Sequence, residues 1–264
     1  MKIRLLALAF STVLVSACTT TGGGGSQEGA KPAVLSQPPS SEQQQRAKNH
    51  VELGSLYMLD GRSAIALEEA RIALSADPDY APAFNLLGMT HMQMNEPRLA
   101  EENFQKALRL APGDPEINNN FGWFLCQNGN EKQSISYFMS AARNPLYSAP
   151  TKAYTNAGIC AQKYGDDKAA ENYLLSALQL VPSNTLALYW MADLTHRLGR
   201  YPAAKQWVTD LERLVEPTSE VLWLALRIER KLGNREGENR YATQLRRRFP
   251  GSAEQRLLSQ GQFE

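Results

Sequence analysis

The residues of this chain best suited to catalysis or metal binding are three cysteines and three histidines. His50, His91 and His196 lie far apart and lack the paired spacings that metal ligands show in sequence. The sequence also has no Walker-type phosphate-binding loop, no nucleophile elbow and no two-histidine helix motif of zinc proteases. The sequence thus contains residue types that can act in catalysis or bind metal, but not in the spacing of a known catalytic or metal-binding motif. We expect no enzyme activity, no cofactor, no bound metal and no small-molecule substrate.

Cys18 stands at the end of a leader-like segment. An apolar run at 5–15 follows two basic residues and is too short to span a bilayer, which is typical of a secretory signal. The tetrapeptide Val15-Ser16-Ala17-Cys18 resembles a bacterial lipobox, and that resemblance implies cleavage before Cys18 and its diacylation. Thr19, rather than Asp, follows the cysteine, which in such lipoproteins implies sorting to the outer membrane, facing the periplasm. We therefore predict a signal peptide at 1–17 and a lipid anchor at Cys18.

Residues 18–46 are predicted to form a flexible tether. The segment is rich in Gly, Pro, Ser and Gln and contains few side chains that a core could bury. Its root-mean-square reach would be roughly 25–30 Å, which is enough to hold a folded domain clear of the lipid headgroups.

The remainder, residues 47–264, is predicted to fold as one repeat domain. Gly54, Gly88 and Gly122 recur 34 residues apart, and apolar residues, alanines and prolines largely recur with them. This period and pattern resemble tetratricopeptide repeats, in which each unit is a pair of helices. We predict an all-α fold, a right-handed superhelix (solenoid) of six helical hairpins with a short C-terminal capping helix. The six units start at 47, 81, 115, 151, 185 and 219.

Positions within the unit have distinct packing roles. A small residue at position 8 lets the two helices of a hairpin approach closely, and a glycine at position 15 suits a left-handed turn between them. The spacing slips once, because Gly122 and Gly158 are 36 residues apart, and we expect the extra length at 144–150 to weaken the joint between units three and four. In the sixth unit Leu226 replaces the small residue, which should loosen or shift that hairpin.

Cys126 and Cys160 are predicted to form a disulfide. An exported protein works in an oxidising compartment, where a cysteine pair is more often bridged than bound to metal. The repeat register places the two residues on the first helices of adjacent units, and such helices run side by side at separations that a disulfide can span. The bridge would hold together the irregular joint between units three and four.

The first helix of each unit also lines the concave groove of such a superhelix, at positions 2, 5, 9, 12 and 13. In the first three units several of these positions are apolar and carry Met, which suits an apolar or amphipathic segment of a partner protein. Asn120 and Asn156, at position 6, either grip the main chain of such a segment or bond within the stack. The predicted partner-binding groove consists of Val51, Met58, Leu59, Met89, Met92 and Trp123, together with Asn120 and Asn156.

The equivalent surface of units five and six is basic. Two interpretations stay open: a site for an anionic or acidic partner, or an ordinary solvated charged face. Nucleic acid is not an expected partner, because 28 basic and 27 acidic residues leave a net charge of +1. The arginines at 246–248 lie at the end of a predicted helix, where cations complement the helix dipole. The residues of this basic surface are His196, Arg197, Trp223, Arg227, Arg230 and Lys231.

The combination of lipobox, tether, six repeats and cysteine pair resembles the PilF/PilW family of type IV pilus biogenesis lipoproteins. The segments Asn-Asn-Phe-Gly-Trp-Phe-Leu-Cys at 119–126 and Asn-Ala-Gly-Ile-Cys at 156–160 carry the resemblance. It implies a pilotin, a non-enzymatic outer-membrane adaptor that binds the pilus secretin and promotes its localisation and multimerisation. The alternative is a tetratricopeptide adaptor lipoprotein of another envelope assembly or secretion machine.

Overall fold

A computed structural model describes residues 41–263 of the chain. Within that range the protein forms thirteen α-helices and no β-strand. The predicted signal peptide, Cys18 and the predicted tether as far as residue 40 lie outside the described residues. The helices are α1 (Glu42–Leu59), α2 (Ser63–Ala76), α3 (Ala81–Gln93), α4 (Pro97–Leu110), α5 (Pro115–Gln127), α6 (Glu131–Ala142), α7 (Pro150–Lys163), α8 (Asp167–Leu180), α9 (Thr185–Arg197), α10 (Tyr201–Glu212), α11 (Ser219–Lys231), α12 (Arg235–Arg248) and α13 (Ala253–Gln260).

The first twelve helices pair consecutively into six hairpins. The first helix of each hairpin packs on its own partner and on the first helix of the next hairpin, so contacts run between neighbours along the stack. This is the predicted right-handed superhelix. The predicted unit starts at 81, 115, 185 and 219 are the first residues of α3, α5, α9 and α11. The thirteenth helix packs on α11 and α12 and closes the end of the stack.

The first helix begins earlier than the sequence predicts. We placed the tether as far as residue 46, whereas α1 starts at Glu42. The hydroxyl of Ser41 accepts a hydrogen bond from the backbone N–H of Gln44 and caps the helix, and Glu42 complements the positive end of its dipole. The Gln-rich stretch that follows is made of good helix formers, so local capping outweighs the tether-like composition.

Small residues at position 8 allow the close approach of paired helices, as predicted. A Cβ atom added to Gly88 would lie 2.8–2.9 Å from three ring carbons of Phe104, and one added to Gly158 would lie 2.6 Å from Cγ of Leu174. The sixth hairpin, where Leu226 takes this place, makes the least extensive contact of the six. Leu226 itself is fully buried in a core cluster, and the expected loosening of this unit stays a prediction.

Left-handed residues close the turns between paired helices. Gly61 has φ +75°, and the equivalent glycines of units three to six are also left-handed. The second unit uses Asn95, with φ 59°, at the same position. Asparagine is one of the few other residues that tolerate this conformation, so the turn of the second unit has the same left-handed residue without a glycine.

The irregular joint between units three and four is well packed, contrary to our expectation. Helices α6 and α7 make the most extensive contact of any two helices that connect successive units. Tyr147, within the extra segment, is buried, and its hydroxyl donates a 3.0 Å hydrogen bond to Oε2 of Glu116. Asn144 Nδ2 donates to the carbonyl of Gly113 at 3.1 Å. The added residues thus fold back onto unit three and fill the space that the longer spacing opens.

Candidate functional site

The structure joins Cys126 and Cys160 in a disulfide. Their Cα atoms are 5.9 Å apart, and the bond links α5 to α7 across the irregular joint. Both side chains are fully buried. The carbonyl of Cys126 also accepts hydrogen bonds from the Tyr164 hydroxyl at 2.8 Å and from Lys163 Nζ at 3.2 Å. A covalent bond and two hydrogen bonds therefore tie the same two units together.

The concave face of the first three units, here called the front groove, keeps much of its predicted apolar lining accessible. Leu59 is 78% exposed at the end of α1. Val51, Met89, Met92 and Trp123 are half-buried, and each packs partly against a core cluster. Partial exposure of several large apolar side chains on one concave surface is typical of a site for a partner protein.

Met58 is not part of the front groove, which corrects the sequence prediction. It is only 8% exposed and packs in one cluster with Leu67 of α2 and Leu86 of α3. The same position 12 is buried in units three, four and five, where it holds Cys126, Gln162 and His196. Burial of position 12 is not general, because Met92 in unit two is half-buried and Arg230 in unit six is exposed.

Asn120 and Asn156 bond within the stack, the second of the two alternatives that the sequence left open. Asn120 is 6% exposed, and its Nδ2 donates to Oδ1 of Asn85 at 3.3 Å and to Sδ of Met89 at 3.1 Å. Asn156 Nδ2 donates to Oδ1 of Asn119 at 3.0 Å. These amides link the first helices of units two, three and four to one another.

Two exposed leucines of α1 extend the apolar surface and were missed in the sequence. Leu53 is 40% exposed and Leu56 is 64% exposed. In unit two the equivalent residue, Leu87, packs against the preceding hairpin. No described helix precedes α1, so this face has no neighbour among residues 41–263. The spacing of Leu53, Leu56 and Leu59, three residues apart on a first helix, was the signal that could have revealed it.

The basic surface of units five and six, here called the rear face, is only partly solvated. Trp223 and His196 are 8% and 7% exposed, which excludes a simple solvated face at these two residues. Arg197 forms a salt bridge with Asp167, and Arg230 forms one with Glu238 at 2.6 Å. Burial, and after it the positive charge of Arg227, lowers the pKa of His196, so its ring is neutral at neutral pH.

The three histidines lie in three separate environments and do not form a common site. His50 Nδ1 lies 2.6 Å from Oε2 of Glu69, and His91 Nδ1 lies 2.6 Å from Oε2 of Glu96. Within residues 41–263 no three His, Cys, Asp or Glu side chains gather as a metal site would require.

Among the same residues, no helix has both the length and the apolar character needed to cross a membrane.

The chain resembles known tetratricopeptide-repeat proteins in both sequence and structure. The tetratricopeptide repeat family model matches residues 81–114, which is the second unit. The type IV pilus assembly protein PilF of Pseudomonas aeruginosa is 26% identical over 205 residues, covering 78% of this chain and 81% of that protein. The crystal structure of PilW, described as a widely conserved type IV pilus biogenesis factor, superposes with a TM-score of 0.75 at 30% identity. That match covers 81% of this chain and 98% of PilW. The structure of P. aeruginosa PilF superposes with a TM-score of 0.73 at 24% identity. That match covers 84% of this chain and 100% of the PilF structure.

The stacked hairpins and the apolar concave surface define a tetratricopeptide-repeat protein, a fold that mediates protein–protein interaction. The 30% sequence identity to PilW, over 98% of that protein, also shows the family. The chain belongs to the PilF/PilW family of type IV pilus biogenesis proteins.

Proposed function

We propose that this protein is an outer-membrane lipoprotein pilotin that binds the type IV pilus secretin and promotes its localisation and multimerisation. The single observation that carries the proposal is the apolar front groove on a chain of the PilF/PilW family. Exposed Leu59 and half-buried Met92 and Trp123 would receive an apolar or amphipathic segment of the secretin. The lipobox-like segment before Cys18 supports the membrane anchor.

The mechanism would combine anchoring with multivalent capture. Lipid on Cys18 and the glycine-rich tether would hold each front groove within a few nanometres of the membrane surface. Secretin subunits captured there would meet at a raised local concentration, which favours assembly without any chemical step. The partner segment would gain affinity from the apolar area that it buries, at roughly 25 cal/mol per Å² before the costs of ordering.

The front groove can be tested by placing charge at Leu59, which is exposed, and at Met92, which is half-buried against a core cluster, with folding checked separately. In a deletion strain complemented by the Leu59→Glu, Met92→Glu double variant, we expect loss of secretin multimers and of twitching motility. The matched control is Leu180→Glu, because Leu180 is 52% exposed on α8, outside the front groove. Circular dichroism of the purified variants would show that both are folded. Normal secretin multimers in the double variant would refute the front groove as the contact.

The anchor is tested separately. With Cys18→Ser we expect the protein to leave the outer-membrane fraction, and labelled palmitate to be no longer incorporated. Membrane retention of this variant would contradict lipidation at Cys18. Intact secretin multimers in the complete deletion strain would refute the pilotin function and favour an adaptor of another envelope machine.

A further inference from the structure

A short segment after α13, residues 261–263, lies against the rear face of the sixth unit. The ring of Phe263 stacks on Trp223 with a centroid distance of 5.7 Å and an interplanar angle of 20°. The guanidinium of Arg230 lies 3.9 Å from the centroid of the Phe263 ring. Arg227 Nε donates a 3.1 Å hydrogen bond to the Phe263 carbonyl. An aromatic platform, a cation and a side-chain donor to the main-chain carbonyl thus converge on one aromatic residue.

These groups belong to the concave surface of the fold. Trp223, Arg227 and Arg230 are four and three residues apart, so they share one face of α11. Trp223 and Arg227 occupy positions 5 and 9, which line the predicted groove in the earlier units, and Arg230 occupies position 12, as half-buried Met92 does in unit two. The segment therefore binds where an external peptide would bind to a tetratricopeptide groove.

The rear face carries positive charge that the described residues do not neutralise. Arg230 is paired with Glu238. Neither Arg227 nor Lys231 forms a salt bridge with any acidic residue between 41 and 263. In the sequence Phe263 is followed by the acidic residue Glu264. An aromatic residue next to a carboxylate is thus the ligand chemistry that this surface complements.

His196 supplies an independent sign of an incomplete site. Both ring nitrogens are buried and have no hydrogen-bond partner among the described residues. Arg227, Lys231 and Asp193 are the charged groups that act on this ring. A buried polar ring without a partner is unfavourable, and a ligand oxygen beside Arg227 would satisfy its N–H.

We propose that the rear face is a second peptide-binding site, specific for an extended segment in which an acidic residue follows an aromatic one. Residues 261–263 fill this site in the unliganded chain. A partner segment of the same chemistry displaces Phe263 from Trp223 and brings its carboxylate to Arg227, Lys231 and His196. The site lies apart from the front groove, and its occupancy does not depend on secretin binding.

The test uses the protein's own segment as the probe. A fluorescein-labelled, amidated heptapeptide, Leu-Ser-Gln-Gly-Gln-Phe-Glu, is titrated with purified full-length protein, and fluorescence anisotropy reports binding. Phe263→Ala empties the site, whereas Gln262→Ala is the matched control, because Gln262 is exposed in the same segment. We expect the Phe263→Ala protein to bind the peptide at least ~10-fold more tightly than the wild type or Gln262→Ala, since the attached Phe263 competes at high effective concentration.

Two further measurements locate the site. In the Phe263→Ala background, Arg230→Lys should weaken binding by about threefold, because the planar guanidinium that stacks on the ring is lost while the charge is kept. Arg246→Lys, an exposed change on α12, should have no effect. A peptide with Ala in place of Phe should bind at least ~10-fold more weakly.

Three results would each overturn the proposal. They are no binding to the Phe263→Ala protein at millimolar peptide, equal binding to wild type and Phe263→Ala, and equal binding of the peptide that lacks Phe. Because the assay contains no secretin, its outcome is separable from that of the proposed function.

Discussion

Replacing both Cys126 and Cys160 by alanine should lower the free energy of unfolding by about 3–4 kcal/mol. The magnitude follows from the loop that the bond closes, since the two residues are 34 apart in sequence. Without the bond, the unfolded chain regains the conformations that a loop of this length forbids. Alanine is preferred to serine because both side chains are fully buried, and a buried hydroxyl would need a partner. For a domain of this size the melting temperature should fall by roughly 6–16 °C.

The assay is urea unfolding followed by circular dichroism, in a Cys18→Ser background so that no other thiol is present. The bridged protein, the double-alanine variant and the bridged protein treated with reductant are compared at one protein concentration. We expect the reduced protein and the variant to agree within about 1 kcal/mol, because each lacks the same constraint. The hydrogen bonds from Lys163 and Tyr164 to the Cys126 carbonyl persist in both, so the folded joint should survive.

Two titratable thiols in protein purified from an oxidising periplasm would show that the bond does not form in the cell. A loss below about 1 kcal/mol on reduction would show that the unfolded chain is not constrained as the loop argument requires.

Three further changes test the packing described above. Gly88→Ala should lower the free energy of unfolding by about 1–2 kcal/mol, because overpacking against the Phe104 ring costs more than the gain in helix propensity. The control Gly113→Ala, with open space around it, should change the free energy of unfolding by no more than ~0.5 kcal/mol. Equal urea midpoints for the two variants would contradict this expectation. Tyr147→Phe should cost about 1 kcal/mol by removing the hydrogen bond to Glu116, and unchanged thermal unfolding would show that the bond contributes nothing. The lowered pKa of His196 means that the unfolded chain binds more protons below pH ~6.5, so stability is lost as the pH falls through that range. His196→Leu should therefore lose less stability than the wild type between pH 7 and 5, as measured by urea unfolding at each pH.

The repeat pattern predicted the fold in detail, because each packing role depends on local spacing. Residues at position 8 and the turn residues at position 15 act within one hairpin, and such local geometry is visible in a sequence. The cap at Ser252, whose hydroxyl accepts a hydrogen bond from the backbone N–H of Gln255, is equally local. The early start of α1 was missed because a glutamine-rich stretch has the composition of a tether as well as of a helix.

The site was harder to predict, because it depends on contacts between units. Met58 and His196 occupy a position that faces the neighbouring hairpin, and only the packed stack shows that it is buried. Asn120 was left with two alternatives because its partners, Asn85 and Met89, lie on another unit. The contact of Phe263 with Trp223 joins residues 40 apart with no shared repeat position, so no periodicity could reveal it.

The bridge between α5 and α7 also has a consequence for how the stack yields under stress. Because each hairpin is supported mainly by its neighbours, a solenoid behaves as a one-dimensional lattice that frays inward from its ends. A covalent bond at the centre stabilises two adjacent units of that lattice, so fraying from either end should be slowed there under oxidising conditions. Hydrogen exchange should then be slowest in the third and fourth units and should rise toward both termini.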